Sequence, residues 1–332
     1  MSSADSKSTC LITGAAGFIG QALAAALLED ASISKLILTD IIEPPSPTKS
    51  NAASETEVQC VRADLCDLGT CRDLFTPDIK CIYMLHGIMS GQAEANLDLG
   101  MRINIDSYRT LFDYLRHTNK GVTVVFTSST AVYGPPPTPD FVFTESTAPD
   151  PGSSYGAQKH ICETLLNDYS RRGVLDARIC RLPTVVVRPG KPTGAASSFA
   201  SGIFREPLKG EQAVLPVSKD LDIWICSPKT VVKNLLLARK IPSEHYRGWS
   251  RIVNLPGITV SVEQMLAALK AVGGEKALSL VKEERDEGTQ KIVESWPTKL
   301  NTDKANALGF VDDGPLEGTL KEYVGDFARK TE

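Results

Sequence analysis

The sequence lacks most of the features that would mark it for a metal, a membrane or a nucleic acid. Its four histidines (His86, His117, His160, His245) show no ligand spacing, so no metal site is expected. Its eight cysteines (Cys10, Cys60, Cys66, Cys71, Cys81, Cys162, Cys180, Cys226) form no C-x-x-C pair, and reduced, partly buried thiols are expected. No stretch concentrates Lys and Arg, and the formal net charge is −4, which argues against a nucleic-acid or anionic-membrane surface. No run of about 18 apolar residues is present to span a bilayer. The opening MSSADSKS lacks the apolar core of a secretory signal and reads as a short disordered leader. A cytoplasmic location is the expectation. No internal repeat is visible.

What is present points to a packed α/β protein. The chain has 332 residues, 42% hydrophobic and 23% charged, enough for one large domain or two modest ones. In the first half, TCLIT, KLILTD, VQCVRADL, KCIYMLHG and GVTVVFTSS read as strands, and DARICRLPTVVV as a sixth. Between them IGQALAAALLED, GTCRDLF, AEANLDLGMRINIDSYRTLFDYLRHT and the stretch around 155–172 read as helices. Strands alternating with helices imply crossover connections, and so a Rossmann-type, doubly wound parallel sheet over residues 8–186. From about Val187 the composition turns rich in Gly, Ser and Pro. A smaller, mainly substrate-binding lobe is expected over 187–332, with some segments returning to the first domain. The Pro-rich stretches at 44–50 and 135–140 read as loops of no assigned role.

TGAAGFIG, residues 13–20, lies between the first strand and the first helix. Gly14 permits the tight turn, Gly17 lets backbone approach a pyrophosphate, and Gly20 allows the helix to pack closely on the strand. The helix N-terminus offers unpaired N–H groups and the positive end of its dipole. Gly14, Ala16, Gly17, Phe18 and Ile19 are therefore expected cofactor contacts. A plain strand-to-helix turn is the alternative. Asp40 weighs against it: twenty residues after Gly20, at the end of the second strand, an acid binds the ribose 2′-hydroxyl of NAD. The same charge repels the 2′-phosphate of NADP, and no adjacent Arg offsets it. Asp64-Leu65, closing the third strand, is placed to meet the adenine.

SYGAQKH puts Tyr155 and Lys159 four apart on one helical face. A phenol with a pKa near 10 is a poor base at neutral pH. A cationic Lys and a nicotinamide charge beside it are expected to lower that value. Upstream, TSSTAVYG brings the hydroxyls of Ser128, Ser129 and Thr130 to a strand C-terminus, where such sheets bind ligands.

In their order along the chain, TGAAGFIG, Asp40, ADL, SSTAVYG and YGAQK resemble the extended short-chain dehydrogenases/reductases, the family of nucleotide-sugar epimerases, dehydratases and related dehydrogenases. The resemblance implies Tyr155 as acid/base and Lys159 as the group that orients the ribose and depresses the tyrosine pKa. It implies Ser129 as the hydroxyl bonded to the reacting oxygen, and Asn104 as the family's helix Asn in the catalytic set. Leu85-His86-Gly87 stands where the family usually has Ala-Ala-Gly. That keeps a backbone role toward NAD and leaves His86 either lining the site or packed. Thr127, Leu182 and Val185 complete the implied cofactor contacts.

The second half bears on the substrate. RLPTVVVRPGKPTGAASSFASGIFREPLKGE holds small residues, hydroxyls, Arg188 and Arg205, a set suited to a small hydroxylated acid because Arg pairs bidentately with carboxylate. Loop capping or pairing with nearby acids is the plainer reading of both arginines. This stretch, with IWICSPKTVVKNLL, NLPGITVSVEQMLAAL and IVESWPTKLNTDKANALGF, resembles the D-erythronate dehydrogenase branch of the family. That implies NAD-dependent oxidation of the 2-hydroxyl of a four-carbon sugar acid, with Ser90, Ser129, Thr130, Tyr155, Thr184, Arg188, Ser197 and Arg205 about the substrate. An epimerase or dehydratase that recycles its hydride is the alternative, and an NAD-binding regulator a third. A homodimer is a further expectation.

Overall fold

Seven parallel strands form one sheet in a computed structural model of the chain, which describes residues 8–48, 56–246 and 248–328. The chain begins with β1 (Ser8–Thr13), α1 (Phe18–Leu28), β2 (Ile33–Asp40), β3 (Glu57–Arg62), α2 (Leu68–Leu74) and β4 (Ile79–Met84). It continues through α3 (Ser90–Ala95), α4 (Leu97–Met101), a π-helical turn (Arg102–Asp106), α5 (Ser107–Thr118), β5 (Thr123–Ser129), α6 (Ser154–Arg171) and β6 (Asp176–Leu182). Then come β7 (Thr184–Val185), α7 (Ser198–Arg205), β8 (Ala213–Leu215), β9 (Asp222–Cys226), α8 (Pro228–Lys240) and β10 (Ile252–Asn254). The last elements are β11 (Ile258–Ser261), α9 (Val262–Leu278), β12 (Val281–Glu283), α10 (Glu287–Glu294), α11 (Asp303–Ala307) and α12 (Leu316–Tyr323).

The sheet order is β10-β6-β5-β4-β1-β2-β3, and every pairing is parallel. The order reverses between β1 and β4, which opens a crevice at their carboxyl ends. Both faces of the sheet are covered. Leu23 and Leu27 of α1 share one apolar cluster with Val231 and Leu235 of α8, and Phe112 and Leu166 from α5 and α6 lie in the other. Burial on both sides is why β1, β4 and β5 read as near-continuous apolar runs. Through α8 and β10, parts of the chain beyond residue 187 lie with this sheet. Two small sheets, β11-β9-β7 and β12-β8, adjoin a third cluster that includes Phe204 of α7, Leu269 of α9 and Leu320 of α12.

Two elements differ from expectation. The run DARICRLPTVVV is not one strand: β6 stops at Leu182 and β7 pairs with β9 in the smaller sheet. Pro183 between them has no N–H to give a ladder. The long helical pattern after residue 93 is broken at Asn96, whose extended backbone lets its side chain accept from Leu99 N and restart the helix as α4. The π-helical turn then carries Asn104. In the loop at 44–48, Gln21 donates to the Pro45 carbonyl at 3.1 Å, and in the other Pro-rich loop Asp140 pairs with Lys299 at 2.7 Å. The leader through residue 7, and residues 49–50 of the first loop, lie outside the described residues.

Candidate active site

A cavity of about 520 Å³ opens at the carboxyl ends of β1, β4, β5 and β6. Its first wall is the glycine loop. Gly14 has φ +69°, and a Cβ there would stand 2.7 Å from His86 N. A Cβ on Gly20 would fall 2.5 Å from the Gly14 carbonyl oxygen. These two glycines therefore serve the protein's own packing. Gly17 differs: it is exposed, a Cβ on it would meet only the Gly14 carbonyl at 3.3 Å, and it begins α1 with no side-chain cap. The opening turn of α1 at Phe18 and Ile19 thus lies along the cavity wall without a capping side chain, as an incoming phosphate requires.

Asp40 lines the rim of the cavity, and its carboxylate accepts from Ala16 N at 3.0 Å and Ile41 N at 2.7 Å. Ala16 itself does not line the cavity but is tied to it through that bond. The expectation that no arginine adjoins Asp40 is corrected by the sheet. Arg62 is its register partner on β3, a neighbour in space that is remote in sequence. Asp64 and Leu65 do not line the cavity either. Leu65 is buried in the core, and Asp64 pairs with Arg102 at 3.1 Å and accepts from Cys66 N.

Leu85, His86 and Gly87 continue the wall. Thr13 Oγ1 lies 2.7 Å from His86 Nδ1, and Ser107 Oγ lies 3.1 Å from Nε2 while donating to the Ile103 carbonyl. With the Ser107 proton so engaged, Nε2 carries the ring hydrogen and Nδ1 accepts. The ring stacks on Tyr108 at 4.0 Å. Burial, and after it the charge of Lys159, holds the imidazole pKa down at about 3, so His86 is neutral and packed.

Asn104 was expected among the catalytic groups, but it does not line the cavity. The π-helical turn points its amide at Ile88, accepting from the backbone N–H at 2.9 Å and donating to the carbonyl at 3.1 Å and to Gln158 at 2.8 Å. It positions the Gly87-Ile88 backbone instead.

Ser129, Tyr155 and Lys159 are brought together on the cavity wall. A Cβ on Gly156 would stand 2.2 Å from the Ala131 carbonyl oxygen, so α6 presses directly on the turn after β5 and carries Tyr155 to it. Ser129 Oγ accepts from Ala131 N at 3.1 Å. Lys159 is buried and donates from Nζ to the Thr127 carbonyl at 2.9 Å, 5.7 Å from the centre of the Tyr155 ring. The lowering of the tyrosine pKa was expected from the lysine and the nicotinamide charge together; the protein's own groups by themselves shift it the other way. Burial pushes Tyr155 up to about 12 and Lys159 down to about 8, because each charged form is desolvated. Behind this wall Glu163 pairs with Arg181, through Nη2 at 2.6 Å and Nε at 2.8 Å, and accepts from Ser128 Oγ at 2.5 Å.

The remaining wall comes from Leu182, Thr184, Val185, Arg188 and Ser197, with Ser90 and Thr130 beside them. Arg188 is 8% exposed and donates to the Ser197 carbonyl at 2.7 Å. Among the described residues no carboxylate pairs with it. Burial, with the like charge of Arg205 second, brings its pKa down to about 10. Arg205 does not reach the cavity, contrary to expectation. It is buried behind Arg188, donating to that residue's carbonyl at 3.0 Å and pairing with Glu206 at 2.6 Å. Trp296, which sequence reasoning missed, also lines the cavity; nothing in ESWPTKL signals it.

The family model of the NAD dependent epimerase/dehydratase family matches residues 10–224. The chain is 42% identical to the D-erythronate dehydrogenase of Haemophilus influenzae over 316 residues, covering 95% of this chain and 98% of that protein. It is likewise 42% identical to that of Cupriavidus necator over 325 residues, with the same shares covered. A crystal structure described as a nucleoside-diphosphate-sugar epimerase from Agrobacterium tumefaciens superposes with a TM-score of 0.88 at 38% identity, covering 96% of this chain and 94% of that one. Among the described residues no helix is long and apolar enough to cross a membrane, and no group of three or more His, Cys, Asp or Glu is placed to hold a metal.

Proposed function

Because the chain belongs to the NAD-dependent epimerase/dehydratase family, we propose that it oxidises the 2-hydroxyl of a four-carbon sugar acid such as D-erythronate to the 2-oxo acid. Arg188 carries this reading: a buried cation on the cavity wall, without an acidic partner among the described residues, favours a substrate carboxylate. The two relatives named D-erythronate dehydrogenases support the same substrate.

The uncapped start of α1 would hold the pyrophosphate of NAD and Asp40 would accept from its ribose, with residues 8–186 as the main cofactor domain and 187–332 mainly about the substrate. When bound, oxidised NAD supplies the hydride acceptor and a positive charge near Tyr155. That charge opposes the burial that holds the phenol at about 12. Lys159, with one ammonium hydrogen on the Thr127 carbonyl, keeps two for the ribose. Ser129 Oγ would hold the substrate oxygen, Tyr155 would take its proton, and Arg188 would fix the carboxylate and with it the position of C2.

Purified protein supplied with NAD and a four-carbon sugar acid should release free NADH. Conversion of a nucleotide sugar with no net NADH would replace this reading with the epimerase one. Tyr155→Phe should cut turnover by about 100- to 10,000-fold while NAD affinity holds.

We place the protein in the cytoplasm, where its eight free cysteines stay reduced. We also propose a homodimer through α4 and α6, which pack on each other and expose Leu97, Met101 and Ile161. Sedimentation should show a dimer that Leu97→Glu with Ile161→Glu converts to a monomer.

A further inference from the structure

One donor on the cavity wall is buried and has no acceptor. Trp296, two residues beyond the end of α10, lines the cavity, and its indole Nε1–H makes no hydrogen bond among the described residues. A buried polar group left unpaired is costly, and such a group at a cavity wall is explained by a ligand that pairs with it. Beside it lies a chamber of about 10 Å³, lined by Thr130, Thr184, Asp222, Trp224 and Trp296 among others. That volume admits one group the size of a water or a hydroxyl. Thr130, Thr184 and Trp296 line both the chamber and the main cavity. Asp222, also on the chamber wall, supplies an acceptor, whereas the indole N–H of Trp224 lies against Gly257.

The chemistry is that of hydroxyl recognition. A hydroxyl accepts from one indole N–H and donates to a carboxylate or a threonine oxygen, whereas a methyl group leaves both unmet. The position suits the far end of a short polyol. Thr130 follows Ser129 directly, and Thr184 lies four residues before Arg188. An acid held by its carboxylate at Arg188 and by its 2-hydroxyl at Ser129 has only C3 and C4 left to extend.

We propose that Trp296, with Thr130 and Thr184, forms a subsite for the distal hydroxyls of the sugar acid and thereby selects polyhydroxy acids over simple 2-hydroxy acids. This rests on the sugar-acid reading above. A site built to bond a substrate hydroxyl discriminates strongly against the analogue that lacks it, because its own polar groups are then left unpaired.

The test compares wild type, Trp296→Phe and Thr184→Val with two ligands in the presence of NAD. One is D-erythronate, read as kcat/KM; the other is 2-hydroxybutyrate, read as a competitive Ki, which needs no turnover. Trp296→Phe keeps an aromatic ring and deletes the N–H. It should lower kcat/KM for D-erythronate about tenfold and leave the Ki of 2-hydroxybutyrate within about twofold. Thr184→Val, nearly isosteric, should show the same split, and NAD affinity checks that both variants fold. No change with either ligand, or equal losses with both, would overturn the subsite and reduce Trp296 to a packing residue. If wild-type protein oxidises no sugar acid at all, the substrate reading itself fails and the subsite falls with it.

Discussion

Asp40 and Arg62 are register partners at the ends of β2 and β3, and Arg62 donates from Nε to the Ile41 carbonyl at 3.0 Å. The carboxylate and the guanidinium share one corner without forming an ion pair. Asp40→Ser should therefore weaken NADH binding and strengthen NADPH binding, each by about tenfold, since Arg62 is left as the cation facing a 2′-phosphate. Adding Arg62→Ala to that variant should remove the gain. Fluorescence titration with both reduced cofactors measures it. An NADPH affinity unmoved by Asp40→Ser would show that the corner does not read the ribose.

Arg188 and Arg205 should separate cleanly by readout. Arg188→Met removes the cation on the cavity wall and should cost about 2–4 kcal/mol in kcat/KM for the sugar acid, with NAD affinity unchanged. Arg205→Met breaks a buried pair with Glu206 and should cost about 3 kcal/mol of stability instead. Turnover and urea unfolding on both variants decide the matter. A substrate effect confined to Arg205→Met would reverse the assignment.

His86 should make stability depend on pH. Its pKa lies at about 3 in the folded protein against 6.5 for a free imidazole, so the unfolded chain binds the extra proton between those values. Its contribution is fully present above about pH 6.5 and is lost as pH falls toward 3, by about 1.4 kcal/mol per unit. From about pH 7 to about pH 5 the loss should be about 2 kcal/mol, and His86→Gln should flatten the slope by that amount. Unfolding curves at the two pH values provide the check.

Glu163→Gln should be severely destabilising. Burial alone would raise the Glu163 pKa, but the hydrogen bonds from Arg181, the His160 ring 3.5 Å away, the charge of Arg181 and the hydrogen bond from Ser128 hold it below the usual carboxylate value. Both side chains of the pair are almost fully buried. Neutralising one leaves the other charged and unmatched, at a cost of about 3–5 kcal/mol. A loss below about 1 kcal/mol in chemical denaturation would show that water replaces the pair.

The residues alone determined what depends on near neighbours in the chain. Strand and helix periodicity revealed the doubly wound sheet, because burial on both faces leaves near-continuous apolar runs. The spacing of Gly14, Gly17 and Gly20 after a strand marked the turn, and the four-residue spacing of Tyr155 and Lys159 put both on one face of α6. Tertiary structure decided what depends on residues far apart in sequence. Arg188 and Arg205 look alike in a hydroxyl-rich stretch, and only the burial of α7 beneath Arg188 shows which one faces the cavity. A π-helical turn aims Asn104 at backbone rather than at substrate. Arg62 meets Asp40 only across two paired strands, and Trp296 reaches the cavity from a segment without a motif. Periodicity tells which side of an element is buried. What it is buried against is settled only when distant segments meet.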